Sequence, residues 1–157
     1  MAALIATGKR VPRSVHRLAG WQRVTLYAAG SLLLATGLLW LALRYGRAAD
    51  TLPSPLEPWV MKVHGLAAFA ALFMFGVLAA SHVPLGWRLS LRWRWARQRS
   101  SGLALCTLAA LLALTSYLLY YFAPEGIRDA LGWVHSGLGA AALPMLLMHR
   151  RTRSQMR

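Results

Sequence analysis

Residues 63–83 read VHGLAAFAALFMFGVLAASHV, twenty-one positions without a carboxylate, lysine or arginine and with a histidine near each end. A run of that length and polarity matches the roughly 20 residues that an α-helix needs to cross hydrocarbon. In hydrocarbon the backbone must satisfy its own hydrogen bonds, so an unbroken apolar run of this kind spans as a helix and not as a barrel strand. Working outward, three more such runs lie at about Val24–Leu43, Leu103–Phe122 and Leu131–Met148. Short connections take up most of what remains. The sequence therefore predicts an all-α integral membrane protein, a four-transmembrane-helix bundle in one membrane domain covering 1–157. Residues 1–22 form a basic segment ahead of the first helix, with either a short interfacial helix or a disordered arm expected there.

The charges fix an orientation. Fourteen of the eighteen basic residues lie on one side: Lys9, Arg10, Arg13, Arg17 and Arg23 before helix 1, Arg88, Arg92, Arg94, Arg97 and Arg99 between helices 2 and 3, and Arg150, Arg151, Arg153 and Arg157 after helix 4. The other side carries Arg44, Arg47, Lys62 and Arg128 together with all four acids, Asp50, Glu57, Glu125 and Asp129. The positive-inside rule makes the first side cytoplasmic, with both termini inside. Tryptophans gather near both sets of helix ends, as amphipathic rings do at an interface. A net charge of +14 on a soluble fold would suggest nucleic acid. Here the charge flanks spanning runs instead, and nucleic-acid binding is not expected. The first run is longer than a signal-peptide core and is closed by Arg44 and Arg47, which predicts a retained helix. Cys106 is the only cysteine, so the chain has no intrachain disulfide and no CxxCH site for covalent haem.

Within the spans the notable ionisable side chains are His64 and His82 on helix 2 and His135 and His149 on helix 4. Such residues are costly in a membrane and tend to be functional. Spacings of 18 and 14 residues return each pair to one helix face, about 27 Å and 21 Å apart along the axis. Helices 2 and 4 run in the same direction, so His64 shares its depth with His135 and His82 with His149. Two neutral imidazoles at one depth, on facing helices, are what a low-spin haem b needs on the two sides of its iron. Two haems, or one if the difference of about 6 Å between the spacings is not absorbed by tilt or by bends near Pro84 or Pro144, would carry electrons across the membrane. The competing explanation is that each histidine snorkels to an interface or bonds to a neighbouring helix. His16 reads as a surface residue.

Other residues fit a macrocycle or a quinone. Gly65, Gly76, Gly137 and Gly139 lack side chains where a flat ring could approach, although glycine also serves close helix packing. Arg88, Arg92, Arg150 and Arg151 at one end, and Lys62 or Arg128 at the other, are candidates for haem carboxylates or for lipid headgroups. Thr107, Thr115, Ser116 and Tyr117 on helix 3 could orient an imidazole, bond a quinone or join helices.

The segments Val63-His64-Gly65, Ser81-His82-Val83, Val134-His135-Ser136 and Met148-His149-Arg150, two histidines on helix 2 and two on helix 4, resemble the four-helix b-type cytochromes. That broad group includes the cytochrome b561-like proteins, the membrane cytochrome b subunits of respiratory oxidoreductases and the haem core of the bc complexes. The resemblance covers all four helices. It implies bis-histidine haem b, electron exchange with quinol or quinone or with a partner protein, and a bacterial inner-membrane setting. The chain departs from the pattern in the long spacing on helix 2 and in a helix 1 without histidine. Two other classes remain: a cofactor-free structural or assembly subunit packing through small-residue faces such as Ala67-Ala68, Ala79-Ala80 and Gly139 to Ala142, and a proton or metal transporter using the histidines directly.

Overall fold

The computed structural model describes residues 18–48, 50–90 and 96–154. The basic segment up to Arg17, His16 and Arg92 lie outside the described residues. Four helices account for nearly all of the rest: α1 (Gly20–Tyr45), α2 (Glu57–Ser90), α3 (Ala96–Tyr121) and α4 (Glu125–Ser154). All four are long and apolar enough to cross a membrane, and the chain is a multi-pass, all-α helical bundle.

Each helix is longer than its apolar run. At 34 residues α2 is about 51 Å long, well beyond the roughly 30 Å of hydrocarbon. The extra turns have local causes. Ser54 caps the start of α2 through its hydroxyl, which accepts from Leu56 N–H, while Glu57 Oε1 accepts from Ser54 N–H at 3.2 Å. This reciprocal pair, with Pro55 between, starts a helix well before the apolar residues begin. The connection from α1 begins in a turn, with Thr51 N–H bonded to Ala48 O, and its last residues lead straight into α2. At the end of α1, Gly46 N–H bonds to Ala42 O, and a Cβ on Gly46 would lie 2.5 Å from that oxygen. Glycine is required there by close approach. Only Phe122 to Pro124 separate α3 from α4, and the Arg128 guanidinium bonds back to Ala123 O at 3.0 Å.

Directions follow from side-chain pairs. Arg47 meets Glu57, and Thr36 meets His64, so α1 and α2 are antiparallel. Thr115 meets His135 and Ser101 meets His149, so α3 and α4 are antiparallel. Tyr45 stacks on Trp133 at one end, and Arg150 lies over the Tyr27 ring at the other, which makes α1 and α4 antiparallel as well. The result is an up-down-up-down bundle. α1 packs mainly on α2 and α3 mainly on α4, whereas α2 touches α3, and α1 touches α4, much more sparsely. The molecule is two helical hairpins joined by a thinner seam. Across its centre α2 and α4 face each other diagonally, and among the described residues their Cα atoms do not come within 8 Å.

Buried side chains are few, as suits a bundle whose outer surface meets lipid tails instead of water: Ala29, Thr36, Ala67, Met74, Leu108, Thr115 and Ala123, with Glu57 at one end. Small residues allow the close helix approach that membrane packing relies on. α4 contributes none of the buried set, and its inward residues are half-buried at most. On α2, Leu66, Phe69, Leu72 and Phe73 face outward, while Phe75, Leu78 and Leu85 are half-buried.

Candidate functional site

The site is built from the two hairpins, one histidine from each. His64 stands on α2 two turns from its start, and His135 stands at the matching depth on α4. Their ring centroids are 6.4 Å apart, with the ring planes inclined at 70°. The imidazoles are the groups that reach across the diagonal between helices whose backbones stay apart.

A buried hydroxyl holds each ring from within its own hairpin. Thr36 Oγ1 on α1 lies 2.8 Å from His64 Nδ1 and 2.6 Å from the carbonyl of Leu32. Thr115 Oγ1 on α3 lies 2.8 Å from His135 Nδ1 and 2.8 Å from the carbonyl of Leu111. Both threonines are buried, at 8% and 7% exposure, so neither hydroxyl has water as an alternative partner. A hydroxyl has one proton, and a threonine four residues along a helix from a carbonyl donates it there. The oxygen is then left as acceptor, and Nδ1–H of the imidazole donates to it. With the hydroxyl proton on the carbonyl, the Nε2 lone pair is left free on each ring, as a metal ligand requires.

Among the described residues no group of three or more His, Cys, Asp or Glu forms. Zinc sites use three or four protein ligands. Two imidazoles alone suit an iron whose other four positions are already filled by a porphyrin. The distance agrees: a metal bound by two opposed imidazoles at about 2.0–2.1 Å per bond separates the ring centroids by about 6 Å. Small residues follow each histidine inward, Ala67, Ala68 and Ala71 on α2 and Gly139 and Ala142 on α4. A Cβ added to Gly65 or Gly139 would meet nothing within 4 Å. Gly76 and Gly137 are exposed and belong to the outer surface.

At the other end, His149 repeats the arrangement. Ser101 Oγ on α3 lies 2.8 Å from its Nδ1, and the ring packs on Gly102, where an added Cβ would be 3.5 Å from Cε1. The ring of His64 packs on Gly37 in the same manner, at 3.6 Å. His82 is half-buried on the inward face of α2. Because His64 and His135 are level, Leu78 is the α2 residue level with His149, and His82 lies one turn deeper, about 6 Å. Both α2 through Pro84 and α4 through Pro144 remain helical, so no interruption at either proline absorbs that step.

The basic candidates divide. Lys62 lies 4.3 Å above the Trp59 ring, Arg128 is committed to Ala123 O, and Arg150 lies 5.4 Å from the Tyr27 ring centre. Arg88 and Arg151 are exposed. Arg47, not singled out from sequence, places a buried Nη1 3.6 Å from Glu57 Oε1, and that nitrogen makes no hydrogen bond. It is an orphaned donor at the acidic end, the end nearer the His64–His135 pair. On α3, Thr107, Ser116 and Tyr117 are exposed, and only Thr115 of the hydroxyl candidates meets a histidine among the bonds described. A groove of about 450 Å³ runs along α3 from Ser100 to Leu111 against Met145 of α4, predominantly apolar in lining.

Thr36 and Ser101 were not legible as site residues by composition. A signal did exist: in an antiparallel hairpin the numbers of facing residues have a near-constant sum, and 101 with 149 has the same sum as 115 with 135. Comparison of the chain with protein-family models, with curated proteins and with solved structures finds no match.

Proposed function

We propose that the chain is a b-type cytochrome of the bacterial inner membrane, transferring electrons between a quinol or quinone and a redox partner, either alone or as a subunit of a larger oxidoreductase. The observation that supports this most is the His64–His135 pair: two imidazoles, each with Nδ1 engaged by a buried threonine, centred 6.4 Å apart between two hairpins. His64 and His135 would hold one haem b; a second at His82 and His149 requires helix tilt to absorb the step of about 6 Å between their depths. A bound haem supplies reversible one-electron chemistry inside a barrier that an all-aliphatic bundle would not let electrons cross.

The protein's own residues set the conditions for that chemistry. Thr36, Thr115 and Ser101 orient the imidazoles. Arg47 lies at the acidic end with its Nη1 ion-paired to Glu57, so a cofactor carboxylate there would share that cation. The cytoplasmic placement of the basic end follows from the charge distribution.

A cofactor-free assembly subunit is the second reading. It is favoured by Ala79, Ala80, Ala140 and Ala141, small residues that face outward where a neighbouring helix would pack. Dithionite-reduced minus oxidised spectra of the haem-replete, purified chain separate the two. A b-type band is expected, and its absence would leave the assembly reading standing. That second reading further requires that replacing all four histidines by alanine leaves complex formation intact.

A further inference from the structure

Three of the four membrane histidines share one device. A hydroxyl on the preceding helix of the same hairpin lies 2.8 Å from Nδ1, in Thr36–His64, Thr115–His135 and Ser101–His149. For the two threonines the hydroxyl is itself tied to a backbone carbonyl one turn earlier, at 2.6 Å and 2.8 Å. A hydroxyl that served only to join two helices would need no such fixed polarity. When the carbonyl takes the hydroxyl proton, the oxygen lone pair faces the ring and Nδ1–H is the donor.

We propose that Thr36 and Thr115 are positioning residues that hold His64 and His135 in the Nε2-ligating tautomer and, by accepting the Nδ1 proton, raise the electron density of the ligand nitrogen and lower the reduction potential of the metal it binds. The tautomer half stands on geometry without a cofactor: the hydroxyl at both rings, with the Leu33 carbonyl as a further partner of His64. The potential half rests on the haem reading. An acceptor on the far side of a ligating imidazole increases its basicity, and a more basic ligand favours ferric over ferrous iron. The effect is local to one site, because each threonine belongs to one ring. Both ligands of the outer site are fixed in this way, one from each hairpin, so the site is pre-organised before a cofactor is bound and little rotamer freedom is lost on ligation.

Valine is close to threonine in shape and has no acceptor, so Thr36→Val and Thr115→Val remove the hydrogen bond while keeping the packing. Serine keeps the acceptor and gives the rescue. Two readouts separate the halves. Ring nitrogen NMR of the full chain in detergent, labelled at histidine and free of haem, reports the tautomer of each imidazole. Redox titration of the haem-loaded chain reports the potential.

For each valine variant we expect the Nδ1-protonated signature to be lost at the facing histidine only. In the loaded chain the midpoint should rise by about 59 mV, which corresponds to about a tenfold shift of a one-electron equilibrium. The serine variants should return both readouts to the parent values. Unchanged tautomer populations in the valine variants would overturn the proposal. So would a loaded chain whose potential does not move while the tautomer does. A chain that takes up no haem, yet loses the Nδ1 signature on Thr→Val, sinks the haem reading and leaves the positioning of the rings standing.

Discussion

Within each hairpin the helices meet along their whole length through small residues and buried hydroxyls, whereas between the hairpins they meet at a few side chains. The first kind of interface is fixed by pairs such as Thr36–His64 and Thr115–His135, in which a backbone carbonyl, a hydroxyl and a ring form a chain. The second kind is held at its ends by Tyr45 on Trp133 and by Arg150 over Tyr27, and at the outer depth by two facing imidazoles. The difference suggests how labour is divided. On the proposed reading the hairpins would prepare the ligands, and the seam would receive the group that they hold.

That contrast can be broken most forcefully by loading the seam. A group that bridges the hairpins and binds only the folded bundle adds about 4 kcal/mol when it is present at a thousand times its dissociation constant. Haem-loaded protein in detergent should therefore melt well above haem-free protein, and His64→Ala should abolish most of that gain. Equal melting temperatures with and without haem would show that nothing bridges the seam.

A smaller effect should come from within the first hairpin. Met74 is fully buried on α2 between the depths of the two histidines. Met74→Ala should cost about 2 kcal/mol by the cavity it leaves, measured by denaturation in mixed micelles. The haem content should stay at the parental value. Loss of haem with no loss of stability would mean that Met74 belongs to the seam and not to hairpin packing.

Ring packing on Gly37 gives a graded test. An added Cβ would lie 3.6 Å from His64 Cε1, which is ordinary van der Waals distance. Gly37→Ala should keep the outer haem, while Gly37→Leu should displace the imidazole and lose it. The least effect is expected from Tyr45→Ala, which removes one stacked pair worth about 1 kcal/mol at the end of the seam.

Most of the architecture was legible because lipid imposes so few solutions. Four apolar runs gave the four helices, and the alternation of direction brought His64 and His135 to one depth, where the structure joins them. The helix ends were underestimated, since hydropathy stops at the hydrocarbon edge while Ser54 and Glu57 start α2 before it and the helix persists beyond Arg88. The hydroxyls were only partly visible. Thr115 stood out as a residue able to orient an imidazole, but Thr36 and Ser101 need the hairpin register, which one strand of sequence does not display. Arg47 was read only as a cation that closes helix 1, because its ion pair with Glu57 forms across the α1–α2 connection, whose fold the sequence does not display.

The central claim is that His64 and His135 serve one bound group together, and it is tested most directly by measuring haem per protein in His64→Ala, His135→Ala and the double variant. The account predicts that each single variant loses the same one haem and that the double variant loses no more than either. Additive losses, or a parental ratio in either single variant, would contradict it.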